Sequence, residues 1–131
     1  MIEKKFTSTK YPSAVNPSKI GSYALHTFSG GGYFYDEVLE YRVWVHSKDG
    51  DDYYYAFSEY ETALKFSKET YGAEKPLVLV LQQEHINEPQ RGKFEHVIGN
   101  RITEWEVEWL TKKAKRNENS IREFLQRHNK E

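Results

Sequence analysis

There is no cysteine in the chain, and that absence removes a disulfide framework, thiolate zinc and iron–sulfur sites, and cysteine nucleophiles together. A reducing cytoplasm fits such a composition and is the expected location. Nor does charge of one sign dominate. Nineteen basic against twenty acidic residues leave a formal net charge of −1, too weak a basic field to hold a phosphate backbone, so nucleic acid is not an expected partner. Long apolar runs are missing as well. The longest, at 77–81, is far too short to cross a bilayer, and residues 1–10 carry charges but no apolar signal-like stretch, so no membrane partner is expected. Several catalytic signatures are also lacking: nucleophile elbow, His-Glu-x-x-His, the kinase set, phosphate loop and dinucleotide fingerprint. No residue stands out as catalytic, and a small molecule or another protein is the expected partner.

What is present is an abundance of rings. Ten Tyr, seven Phe and three Trp in 131 residues mean that aromatic side chains must supply much of the buried area. Rings fit a pleated, half-buried surface better than a helix, which restricts their χ1 freedom, and this favours a sheet. The length suits one hydrophobic core.

Residues 1–21 read as an irregular arm, with Phe6, Tyr11 and Val15 as its anchors, and residues 22–131 as a single domain. A first strand is expected over 23–28, ending at Gly30, Gly31 and Gly32. Over 39–45 the odd positions are Leu39, Tyr41, Val43 and Val45, with Glu40, Arg42 and Trp44 on the other face, the period of a strand. Asp49-Gly50 then predicts a type I′ hairpin turn into a strand at 53–57. Ser58 and Glu61 suggest a capping box for a helix over 59–71, closed by Gly72 and covering a central strand at 77–81 whose start Pro76 sets. Gly99-Asn100 reads as a second hairpin turn between strands at 93–98 and 101–110, and Ser120 with Glu123 caps a short C-terminal helix. The expected fold class is α+β: an antiparallel or mixed sheet of about six strands, one helix packed on a face and a short C-terminal helix.

Three features could carry chemistry. Glu104, Glu106 and Glu108 alternate along the last strand, roughly 7 Å apart on one face; a solvated face explains them as well, and no metal site is expected because no clustered His or Asp completes a shell. Gly30, Gly31 and Gly32 followed by Tyr33, Phe34 and Tyr35 have the composition of a binding loop. Arg42, Trp44 and His46 share a strand face, where guanidinium, indole and imidazole would make a ligand floor if open and a second core if covered. The expected ligand-binding residues are therefore Gly30, Gly31, Gly32, Tyr33, Tyr35, Arg42, Trp44 and His46. His26, His85 and His96 are scattered without metal-ligand spacing.

The runs SGGGYFYDEVLEYRVWVH, DDYYYAFSEYETALKFS and RITEWEVEWL resemble short bacterial proteins that are often labelled GCN5-family acetyltransferases. That resemblance implies acetyl-CoA and an amine substrate, although the Gln/Arg-x-x-Gly-x-Gly/Ala turn that takes the cofactor pyrophosphate does not follow 77–81. A fainter similarity to the ADP-ribosyltransferase fold implies NAD held by His26 and Tyr53 or Tyr55, with Glu95 or Glu106 supporting the transfer. From the residues themselves no cofactor is assigned. The functional expectation is a small ligand-binding or accessory domain recognising its ligand through the glycine-aromatic loop, with a small transferase using a nucleotide-containing cofactor as the alternative.

Overall fold

Alternating apolar residues and one continuous apolar run generate four strands among the described residues: β1 (Glu37–His46), β2 (Asp52–Phe57), β3 (Leu77–Gln90) and β4 (Lys93–Glu106). They form one antiparallel sheet in the order β2-β1-β3-β4, accompanied by helices α1 (Tyr60–Glu69) and α2 (Ser120–His128). The structure, a computed structural model, describes residues 11–25 and 34–128. The α+β class stands, but among the described residues the sheet has four strands rather than about six. Residues 23–25 form no strand, and 26–28 lie outside the described residues. The stretches 93–98 and 101–110 are not two strands either, because β4 runs straight through Gly99 and Asn100.

The second hairpin turns at Arg91-Gly92 instead. Gly92 takes a φ of 81°, and its N–H donates to Glu88 Oε2 at 2.7 Å. A Gly-Asn pair favours a turn only locally; continuing in extended form lets β4 keep pairing with a β3 that reaches Gln90. The first hairpin also differs in type. Gly50 N–H donates to Ser47 O at 3.2 Å and only Gly50 has a positive φ (92°), so the loop is built on a turn with glycine last, not on a type I′ pair.

The chain divides into two compact units. The first comprises Met1–Tyr23 with Val38–Val78, the second Ala24–Glu37 with Leu79–Glu131. In the first unit β1 is buried on both faces, with Tyr41, Val43 and Val45 essentially inaccessible. Each of the two valines contributes about 1.5–3 kcal/mol by leaving water. The arm is held mainly by its backbone: Ala14 N–H donates to Ser58 O at 2.9 Å and Val15 N–H to Val38 O at 2.8 Å, while the Tyr41 hydroxyl donates to the Pro12 carbonyl. Tyr11 is buried edge-on against Tyr60, whereas Val15 is 52% exposed, and Phe6 lies outside the described residues. Helix α1 starts after Glu59 with no side-chain cap, so the expected Ser58–Glu61 box does not form; the Glu59 carboxylate accepts from Ser13 Oγ at 2.6 Å. It packs on β2, where Phe66 meets Tyr55 and Phe57.

In the second unit the core is formed by Leu79, Val80, Ile86, Trp105, Val107, Leu110 and Ile121. Helix α2 packs against β4, where Phe124 lies edge-on to Phe94 and to Phe34 and stacks on His128 at 4.1 Å. Its first helical bond runs from Glu123 N–H to Asn119 O, and Ser120 Oγ accepts from Asn117 N–H, so a Ser120–Glu123 capping box is again not the device used. Thr103, Trp105 and Val107 are buried as the alternation requires, but the strand stops at Glu106, and Glu108 sits in a 3-10 turn at Val107–Trp109, outside the acidic row.

Candidate functional site

In the first unit, strand pairing sets Trp44 opposite Tyr54 and Arg42 opposite Ala56. At Glu40 and Arg42 this face is covered. Arg42 is 3% exposed and Glu40 is fully buried, with Arg42 Nε 2.7 Å from Glu40 Oε2. The segment after a 3-10 turn at Pro17–Lys19 supplies the lid of this pair: Gly21 N–H donates to Glu40 Oε1 at 2.7 Å, and Arg42 Nη2 donates to Tyr23 O at 3.0 Å. The guanidinium carbon lies 4.2 Å from the centre of the Tyr54 ring, which in turn packs on Trp44 at 5.0 Å. Arg42, Trp44 and Tyr54 are thus brought together, as a charge-balanced cluster under residues 21–23 and not as an open floor.

His46 stands apart from that cluster. Its side chain is half exposed, with Nδ1 2.9 Å from Asp52 Oδ1 and Nε2 against Glu74 Oε2. Glycine sets this arrangement. Gly72 has a φ of 83°, and a Cβ there would sit 2.5 Å from His46 O, so only glycine lets the 72–74 segment lie against the end of β1. His46 N–H then donates to Gly72 O, and Glu74 N–H to Trp44 O, bringing the Glu74 carboxylate to the ring. Two carboxylates facing both ring nitrogens favour the imidazolium, and the pKa is raised, first by the Glu74 hydrogen bond and then by Asp52. Both ring nitrogens are thus engaged by carboxylates.

The remaining expected residues belong to the second unit. Gly30, Gly31, Gly32 and Tyr33 lie outside the described residues. Tyr35 is 6% exposed, edge-on to Trp105, and its phenol pKa is raised by burial; its backbone pairs with the segment 114–116. It is core. Beside it Asp36 accepts from Gln83 N–H at 2.6 Å and from Arg116 Nε at 2.8 Å, and Arg116 continues to Glu84, which holds His96 at 2.9 Å. The chain His96–Glu84–Arg116–Asp36 joins four segments of the unit.

A second buried arginine is the feature that sequence reasoning missed. Arg101 on β4 is 8% exposed, and its Nε donates to Gln82 Oε1 at 2.8 Å. Gln82 is 1% exposed, and its Nε2 donates to Phe34 O at 2.8 Å. The glutamine thus ties the first described residue after the glycine-aromatic run to the guanidinium. Burial lowers the Arg101 pKa, and no described carboxylate lies within ion-pair distance of it. Nearby His85, whose Nδ1 lies 3.2 Å from Gly99 O, has its pKa lowered, first by burial and then by the Arg101 charge. The alternation that marks Thr103, Trp105 and Val107 as buried reaches Arg101 when extended two residues back; the turn expected at Gly99-Asn100 obscured it.

Elsewhere, a hollow of about 270 Å³ runs along α1, lined by Glu61, Leu64, Lys65, Lys68 and Glu69, with Lys65 and Glu69 already paired at 2.7 Å. Among the described residues no group of three or more His, Cys, Asp or Glu is placed to hold a metal ion, and no helix is long and apolar enough to cross a membrane. The chain matches no protein-family model, no curated protein and no solved structure.

Proposed function

We propose that this is a small ligand-binding or accessory domain whose recognition surface comprises the glycine-aromatic run 30–33 and the residues of the second unit tied to its exit. One observation carries this reading. A buried glutamine, Gln82, donates to the carbonyl of Phe34 and accepts from Arg101, so a rigid polar base underlies the residue that follows the run. Binding loops work best when a fixed scaffold holds their ends, and buried polar groups with specific partners supply that fixity. The alternative of an acetyl-CoA transferase is less favoured. β3 passes directly into the Arg91-Gly92 turn and β4, so no helix follows the strand to present its N-terminus to a pyrophosphate.

A thermal-shift panel with acetyl-CoA, NAD, nucleotides and divalent metals tests the proposal. A true ligand at 100 times its Kd adds about 2.7 kcal/mol of apparent stability and saturates with concentration. A panel with no saturable shift would count against a small-ligand site and favour a macromolecular partner.

A further inference from the structure

A buried guanidinium is stable only when its N–H groups and its charge are answered. Arg101 offers five donors, of which Nε is taken by a neutral amide oxygen, and no described carboxylate compensates its charge. Two carboxylates of the same unit are engaged elsewhere: Asp36 with Arg116 and Gln83, Glu84 with His96 and Arg116. The neighbouring imidazole, His85, adds no negative charge to the site. Gln82 is fixed at both ends, which sets the plane in which the remaining guanidinium donors point.

The geometry points to Arg101 as the anchor for an oxyanion, the phosphate or carboxylate group of a small ligand, with Gln82 as the residue that positions it. This deepens the ligand-binding reading above and rests on it. A fork of paired N–H donors matches two oxygens of such a group, and the low exposure of the site strengthens the attraction by excluding water. The counter-charge that the fold withholds is then brought by the ligand.

The test uses the full chain at constant ionic strength set with chloride. Calorimetry and thermal shift follow inorganic phosphate, acetate, AMP and adenosine against wild type and Arg101→Gln. Saturable binding of phosphate or acetate is expected, the stronger of the two identifying the oxyanion, and Arg101→Gln is expected to weaken it at least tenfold. Adenosine binding as tightly as its phosphorylated form, in wild type and variant alike, would overturn the anchor while leaving a ligand site in place. No binding by any of the four compounds would overturn the anchor and count against the site itself. Should Arg101→Gln fail to fold, Arg101→Lys identifies the Nε–H resonance of Arg101 by its loss, and in wild type that resonance must move on adding phosphate or acetate; an unmoved signal overturns the proposal.

Discussion

Two arginines are buried in this protein, one in each compact unit, and their surroundings are opposite. Arg42 has a carboxylate on its Nε, a carbonyl on its Nη2 and an aromatic face beneath it, and its partner Glu40 is satisfied by a backbone N–H as well. Among the described residues Arg101 has one neutral side-chain partner. The same side chain is thus an internal tie in the first unit and an uncompensated cation in the second. Burial of a charged group does not by itself indicate function; the balance of charge around it separates a packed ion pair from a group that a ligand can complete.

The largest expected effect breaks the first half of that comparison. Arg42→Ala leaves Glu40 fully buried without its cation, and it also removes the donor to Tyr23 O and the group stacked on Tyr54. A loss of about 3–5 kcal/mol in urea denaturation is expected for an ion pair broken in this way. A loss within about ±0.5 kcal/mol, the range of ordinary surface changes, would show that the cluster is open to water and contradict the coverage by residues 21–23.

Arg101→Met, measured without added oxyanions, sharpens the other half. It removes an uncompensated charge from the interior while keeping an unbranched side chain of similar reach, and leaves Gln82 Oε1 short of one donor. The two changes oppose each other. The lost hydrogen bond costs about 1 kcal/mol, and relief of the desolvated charge offsets it, so stability is expected to change by no more than about 1 kcal/mol in either direction. A loss as large as that of Arg42→Ala would mean that the two arginines play the same structural part.

Much of the architecture was legible because periodicity is a local property. The β1 alternation, the apolar run that starts β3, α1 and α2 all appear where the apolar spacing places them. The failures lie where a distant partner decides. Gly99-Asn100 is a good turn in isolation, yet continued pairing along β3 overrides it. Ser58 and Ser120 begin plausible capping boxes, but Glu59 and Asn119 flank the helices instead. The face of Arg42 and Trp44 could be read either as an open floor or as a second core, because the strand pattern shows which residues share a side and not what lies over it; residues 21–23, without periodicity, gave no sign that they cover Glu40 and Arg42. Gln82 and Arg101 meet only through the β3–β4 hairpin, whose turn was expected eight residues too late.

The smallest effect is expected at the surface, where an imidazole is paired with carboxylates but not buried. His46 lies between Asp52 and Glu74, and its folded-state pKa is raised above the ordinary 6.5. In the unfolded chain the ring titrates near that ordinary value. A raised folded pKa means that the folded state binds the proton more tightly, so the clasp contributes fully below pH 6.5 and loses its contribution as pH rises through the raised value. The melting temperatures of wild type and His46→Gln, compared from about pH 5 to pH 9, are therefore expected to differ most at the acid end and to converge at the alkaline end, with added salt narrowing the acid-end difference because the pair is solvent-exposed. Imidazole resonances followed by NMR give the folded pKa directly. A gap that is constant across the range, or that widens as pH rises, would mean that the two carboxylates do not hold the ring in solution, and the 72–74 segment would then depend on its backbone bonds to β1 alone.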